Sequence, residues 1–207
     1  MIEEYLLRLV RQSVEKLDKI RSISCGVVEG LLGLAKKGND TSGHDNQVAI
    51  QSQTFKYHVT LAEIEQFDNT FAYKVPFIPN KEEFIALIHK EVRESRDWLD
   101  TSLTFKVFVP LLQYDFYRTS LLMGLVYSMG GVNNTKSLIQ DSSTNTLEFL
   151  RGLKHRDDGV TLAENVAAAF IQVLKENEND DRIAVSSLRT LEHLLLNDAF
   201  ALVNNET

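Results

Sequence analysis

Two helix pairs laid in series near the C-terminal end constrain this chain most. YDFYRTSLLMGLVYSMGG at 114–131 and NENDDRIAVSSLRTLEHLL at 177–195 are each an apolar helix entered through polar turn residues. A second helical run accompanies each of them, TLEFLRGL at 146–153 and LAENVAAAFIQVL at 162–174. The pairs occupy roughly 45 residues each, a period at which one helix pair cannot bury its apolar stripe alone and stacks on the next.

The expected fold class is therefore all-α, a HEAT- or armadillo-like α-solenoid of antiparallel helix pairs. Only 3 prolines stand among 207 residues, so long helices are permitted. The expected helices run over 116–130, 135–153, 161–177 and 182–197, with Leu122, Val126, Leu147, Phe170 and Leu191 facing a shared core. Asp115 and Thr135 read as helix caps, Thr161 with Glu164 as a capping box, and Asp180–Asp181 suit a positive helix start. Gly130–Gly131 reads as a stop in the left-handed conformation. The final helix is read through Leu188, Leu191 and Leu195, with Leu202 as its farthest reach. Gly124 and Ser128, four apart, would let a neighbouring helix approach closely.

Upstream the pattern is looser. Leu6, Val10, Val14, Leu17, Ile20, Val27 and Leu31 recur at three and four, so 1–37 reads as one helix or as a pair divided at Ser24–Cys25–Gly26. Gly33 and Gly38 supply a stop signal. Residues 38–54 are polar and aperiodic, either a flexible loop or a surface excursion. Residues 55–113 read as an irregular helical segment, with a strand over Phe55–Leu61 as the alternative to a short helix capped by Thr60 and Glu63. Asn80 with Glu83 forms a further capping box, Ser102 a cap, and Pro110 ends its helix early. Residues 114–153 and 154–203 then read as two repeats of a single domain, a piece of a longer array.

Charge and motifs exclude several classes of function. A net charge of −7 lacks the clustered Lys and Arg that nucleic acid or an anionic membrane requires, so neither is expected as a partner. Cys25 is the only cysteine, lies among Ile23, Val27 and Val28, and reads as a buried inert thiol in a cytoplasmic protein. The sharpest look-alike is HRDDGVTL at 155–162, whose first three letters copy a kinase catalytic loop. That loop needs Asn where Leu162 stands, and no Gly-rich loop, strand lysine or DFG accompanies it. The histidines show no zinc-ligand spacing, and Glu176, Glu178, Asp180 and Asp181 lack that of a calcium loop. No cofactor, metal or catalytic residue is assigned.

In wording and order, these segments resemble the C-terminal part of the tubulin-folding cofactor D family. The likeness runs from VRQSVEKLDKIRS at 10–22, through VPFIPNKEEFIALI at 75–88 and the two pairs above, to about Phe200. It departs most at 38–54. The resemblance implies a cytoplasmic helical-repeat chaperone acting in β-tubulin folding and heterodimer assembly, with β-tubulin, tubulin-folding cofactors E and C, and an Arf-like small GTPase as partners. It also implies part in a complex that stimulates GTP hydrolysis by tubulin. A HEAT-type scaffold unrelated to tubulin is the alternative, since fold alone does not give function. Tubulin is acidic, so a direct contact calls for an exposed basic or aromatic patch. The candidates are Tyr114, Tyr117 and Arg118 at one helix start, and Lys154, His155 and Arg156 at one helix end.

Overall fold

The computed structural model describes residues 2–34, 78–91 and 98–203. Apart from Ile78 they belong to one compact unit, in which residues before position 36 pack with residues after position 78. The readings made for 38–54, for the segment over 55–67 and for Gly38 lie outside the described residues.

All regular structure among the described residues is helical. The helices are α1 (Ile2–Gln12), α2 (Asp18–Leu32), α3 (Lys81–Glu91), α4 (Thr101–Phe108), α5 (Asp115–Gly130), α6 (Lys136–Gly152), α7 (Gly159–Glu176) and α8 (Asp181–Leu196). Short 3-10 turns, Val109–Gln113 and Leu153–His155, follow α4 and α6. The last four helices fall within two residues of the limits read from sequence. The fold is all-α, as expected.

Helix α5 is the member the others share: α1, α6, α7 and α8 all pack against it. Its small residues make that possible. A Cβ on Gly124 would lie 2.4 Å from the Arg11 carbonyl oxygen and 2.5 Å from a Val14 methyl. One turn on, the Ser128 hydroxyl donates to the Val14 carbonyl. On another side Gly130 meets α8, where a Cβ would lie 1.9 Å from the Ser186 carbonyl oxygen. Thr190 Oγ1 lies 3.4 Å from the Val126 carbonyl, so α5 and α8 run antiparallel.

The face α8 buries is largely hydroxyl-bearing: Ile183, Ser186, Ser187, Thr190 and Leu194. Thr190 donates back to the Ser186 carbonyl at 2.8 Å, which satisfies its hydroxyl without a partner helix. In α6, Ser142 and Thr146 do the same, each at 2.7 Å. Leu122, Val126, Leu147 and Phe170 are buried as expected, but Leu191 is only half-buried and Leu194 takes the core position. Leu188 and Leu195, through which the helix was read, face outward. Small polar residues let the backbones approach more closely than leucines would, and that close approach sets the phase of α8.

The N-terminal helices correct the sequence in the same way. The chain breaks at 13–17, not at Ser24–Cys25–Gly26, and the break rotates the buried face of the next helix. Helix α2 buries Arg21, Ser24, Cys25, Val28 and Leu32, while Leu17, Ile20 and Val27 are exposed. Arg21 holds the break from inside: it donates to the Glu15 carbonyl at 2.9 Å and to the Asp18 carboxylate at 2.5 Å. Gly33, at φ 78°, then closes α2 in a left-handed cap, with Leu34 N–H reaching the Glu29 carbonyl at 2.9 Å.

Several caps also differ from expectation. Asn80 takes φ 53°, a left-handed geometry unlike the extended one of a capping box. Asp100, not Ser102, accepts from the Leu103 N–H at the start of α4. Asp115 caps nothing and instead pairs with Arg118 at 2.7 Å. Helix α7 starts at Gly159 rather than at Thr161, with Asp158 before it and no side-chain cap. Gly131 is extended, at φ −65° and ψ 147°, so α5 does not end in the left-handed conformation. Thr135 caps as read, accepting from the Leu138 N–H, and Asp180, read only as suiting the helix dipole, accepts from the Arg182 N–H. Helix α8 ends at Leu196, short of Leu202.

Candidate protein-binding rim

The two turns singled out by sequence, about forty residues apart, are joined in the fold. Arg156 Nη1 donates to Gln113 Oε1 at 2.8 Å, which ties the turn before α5 to the turn after α6. The rest of that guanidinium forks onto Asp158, Nε to Oδ1 at 2.8 Å and Nη2 to Oδ2 at 3.0 Å. Such a planar two-point pair fixes the side chain as well as its charge. The hydrogen bond to Arg156 holds the Asp158 carboxyl below its ordinary range.

Tyr114 stands half-buried beside this joint. Burial raises its phenol pKa, the Glu83 carboxylate of α3 raises it further, and Arg156 opposes them. Lys154 and His155 are exposed on the 3-10 turn. That turn is anchored by buried Leu153, over which Gly159 sits so closely that a Cβ would come within 1.9 Å of the Leu153 carbonyl. The Lys154 ammonium makes no side-chain bond among the described residues, so it is the open positive charge of the rim.

Tyr117 and Arg118 do not belong to this surface; both are buried. Tyr117 donates its hydroxyl to the Pro79 carbonyl at 2.5 Å, and burial raises its phenol pKa. Arg118 donates to the Leu112 carbonyl at 2.9 Å and the Gln113 carbonyl at 3.2 Å. The reason is local: a 3-10 turn running straight into a new helix leaves its last carbonyls without partners, and an arginine one turn on folds back to serve them. Sequence reading missed Gln113 and Glu83 as members of the rim. Neither carries a local signal, since the contacts that recruit them cross from one turn to another.

The chemistry elsewhere is plain. Burial pushes the Cys25 thiol up to about 12, so it is inert at neutral pH. Native protein is expected to react with a thiol-modifying disulfide only as it unfolds; full labelling within minutes under native conditions would contradict this burial. No group of three His, Cys, Asp or Glu among the described residues could hold a metal ion. A cleft of about 210 Å³ between α4 and α6 is lined by Phe105, Pro110, Glu148 and Phe149, below the usual range for a small-molecule site, about 300–1,000 Å³. No described helix is long and apolar enough to cross a membrane.

Fold and rim together define an all-α, helix-pair protein whose best-organised polar feature is an exposed joint between interhelical turns. The tubulin folding cofactor D C terminal family matches residues 3–207, and the chain belongs to that family. A relative, tubulin-specific chaperone D of Dictyostelium discoideum, is 24% identical over 208 residues, covering 99% of this chain and 11% of the relative. The chain therefore spans about a ninth of that relative's length. No solved structure matches it.

Proposed function

We propose that this chain is a protein-binding helical segment of a tubulin-folding cofactor D-like chaperone, acting in β-tubulin folding and tubulin heterodimer assembly. The family match over residues 3–207 carries this reading, and the relative's name supports tubulin as the client. On this reading the protein is cytoplasmic, works with tubulin-folding cofactors E and C and an Arf-like small GTPase, and catalyses nothing by itself. The rim of Gln113, Tyr114, Lys154, His155 and Arg156 is its contact with a partner. Lys154 supplies the charge an acidic client would meet, and Arg156 holds the two turns in register.

Lys154 and His155 are the residues to change, because reversing Arg156 would also release Gln113 and Asp158. In a protein carrying Lys154→Glu and His155→Glu, stability is expected to stay within about 0.5 kcal/mol of wild type, as at other exposed positions. Capture of purified β-tubulin at low salt is expected to fall about tenfold, since rim charges act most strongly when unscreened. Undiminished capture would remove this rim from the contact. Failure of the wild-type protein to capture tubulin would remove the proposed role.

A further inference from the structure

We propose that the outward side of α8 is a docking site for an amphipathic helix that is acidic along one edge. Val185, Leu188, Leu195 and Leu196 are 41%, 54%, 51% and 78% exposed. At about 100° per residue they share one side of the helix, opposite the Ser186, Ser187 and Thr190 face that packs on α5. An apolar stripe of this kind on an outer helix is the usual footprint of a helix-in-groove contact.

Charge decides what covers it. Arg182 and Arg189 lie seven residues apart on one flank of the stripe, about 10.5 Å along the axis. Both are exposed. Every other described arginine donates from its side chain: Arg8 to Glu4, Arg11 to Glu15, Arg21 to Asp18, Arg118 to Asp115, Arg151 to the Asn197 carbonyl and Arg156 to Asp158. Arg182 and Arg189 alone have guanidinium groups without a partner among the described residues. Two free cations beside exposed leucines, in a chain of net charge −7, fit carboxylates two turns apart on an incoming helix. By the same turn per residue Asp181 and Glu192 fall inside the stripe, between Leu188 and Val185, so only the flank made by Arg182 and Arg189 is positive and the partner's carboxylates are confined to that edge. A lysine on the partner opposite Glu192 would set its register.

The site is separate from the rim and stands or falls independently of it. The test uses the full chain and a fluorescent helical peptide of about five turns, with leucines at i, i+3 and i+7 and glutamates along one flank. A companion peptide carries lysine for each glutamate. Binding of the acidic peptide is expected, together with weakening at high salt and a loss of about tenfold in R182E/R189E from two unfavourable rim pairs. Leu188→Ser with Leu196→Ser is expected to lose binding as well. Should that variant unfold, the arginine variant carries the test alone, since both its positions are solvent-exposed. Equal binding of the lysine peptide, unchanged binding by R182E/R189E, or no binding at all would overturn the proposal. So would self-association of the chain that Leu188→Ser abolishes, because a second copy would then be the occupant.

Discussion

Replacing Gly130 by alanine is expected to destabilise the protein by about 3 kcal/mol, while the same change at Gly26 is expected to stabilise it by about 0.5–1 kcal/mol. Both glycines are helical, so propensity alone predicts a gain at each. Packing reverses the sign at one of them. A Cβ on Gly130 would sit 1.9 Å from the Ser186 carbonyl oxygen and 2.7 Å from Thr190 Oγ1. The obstacle is chiefly backbone, so α8 as a whole would have to move off α5. Around Gly26 there is nothing within 4 Å of a new Cβ, and the residue is exposed near the middle of α2. Urea denaturation followed by circular dichroism reads both, as opposite shifts in midpoint at unchanged slope. A Gly130→Ala protein as stable as wild type would show that α5 and α8 do not pack this closely.

These contacts also mark how far the sequence could be read. Helix limits at 114–115, 130–136 and 177–181 were legible because polar and glycine residues punctuate them locally. Gly124 and Ser128 were legible as a point of close approach because small residues four apart have few other uses in an apolar helix. The phase of α2 was not, since a break without glycine or proline at 13–17 rotates everything after it. Nor was the inward face of α8, because Ser186, Ser187 and Thr190 look solvated until the backbone they pack on is known. Leu191 was assigned inward by hydrophobicity and is only half-buried, while Leu188 and Leu195, through which the helix was read, lie outside. At the rim, Tyr114 and Lys154–Arg156 were picked from residue type and turn position. The burial of Tyr117 and Arg118 depends on Pro79 and on the carbonyls of Leu112 and Gln113, contacts that no periodicity encodes. The hydrogen bond from Arg156 to Gln113 likewise exists only once α5, α6 and α7 have packed.

Phe84→Ala is expected to cost about 3–5 kcal/mol and to be visible in the emission of the single tryptophan. Phe84 is fully buried on α3 and meets two rings edge-on, Phe108 at 5.5 Å and Tyr117 at 5.9 Å between centroids. Phe108 in turn meets Trp98 at 6.2 Å. Trp98 Nε1–H donates to Glu29 Oε2 at 2.7 Å, which links this aromatic cluster to α2. Edge-to-face pairs add about 0.5–1.5 kcal/mol each beyond the area they bury, so losing Phe84 removes two such pairs and leaves a cavity. Helix α3 packs chiefly on α4, so its amides are expected to lose hydrogen-exchange protection first. Trp98 emission should shift to the red as water reaches Phe108. Tyr117→Phe provides the comparison, because it keeps the ring against Phe84 and removes only the hydroxyl bound to the Pro79 carbonyl, a loss of about 1 kcal/mol. Should Phe84→Ala prove no costlier than Tyr117→Phe, or leave Trp98 emission unmoved, then α3 is not held through this cluster and its place against α4 must rest on Ile88.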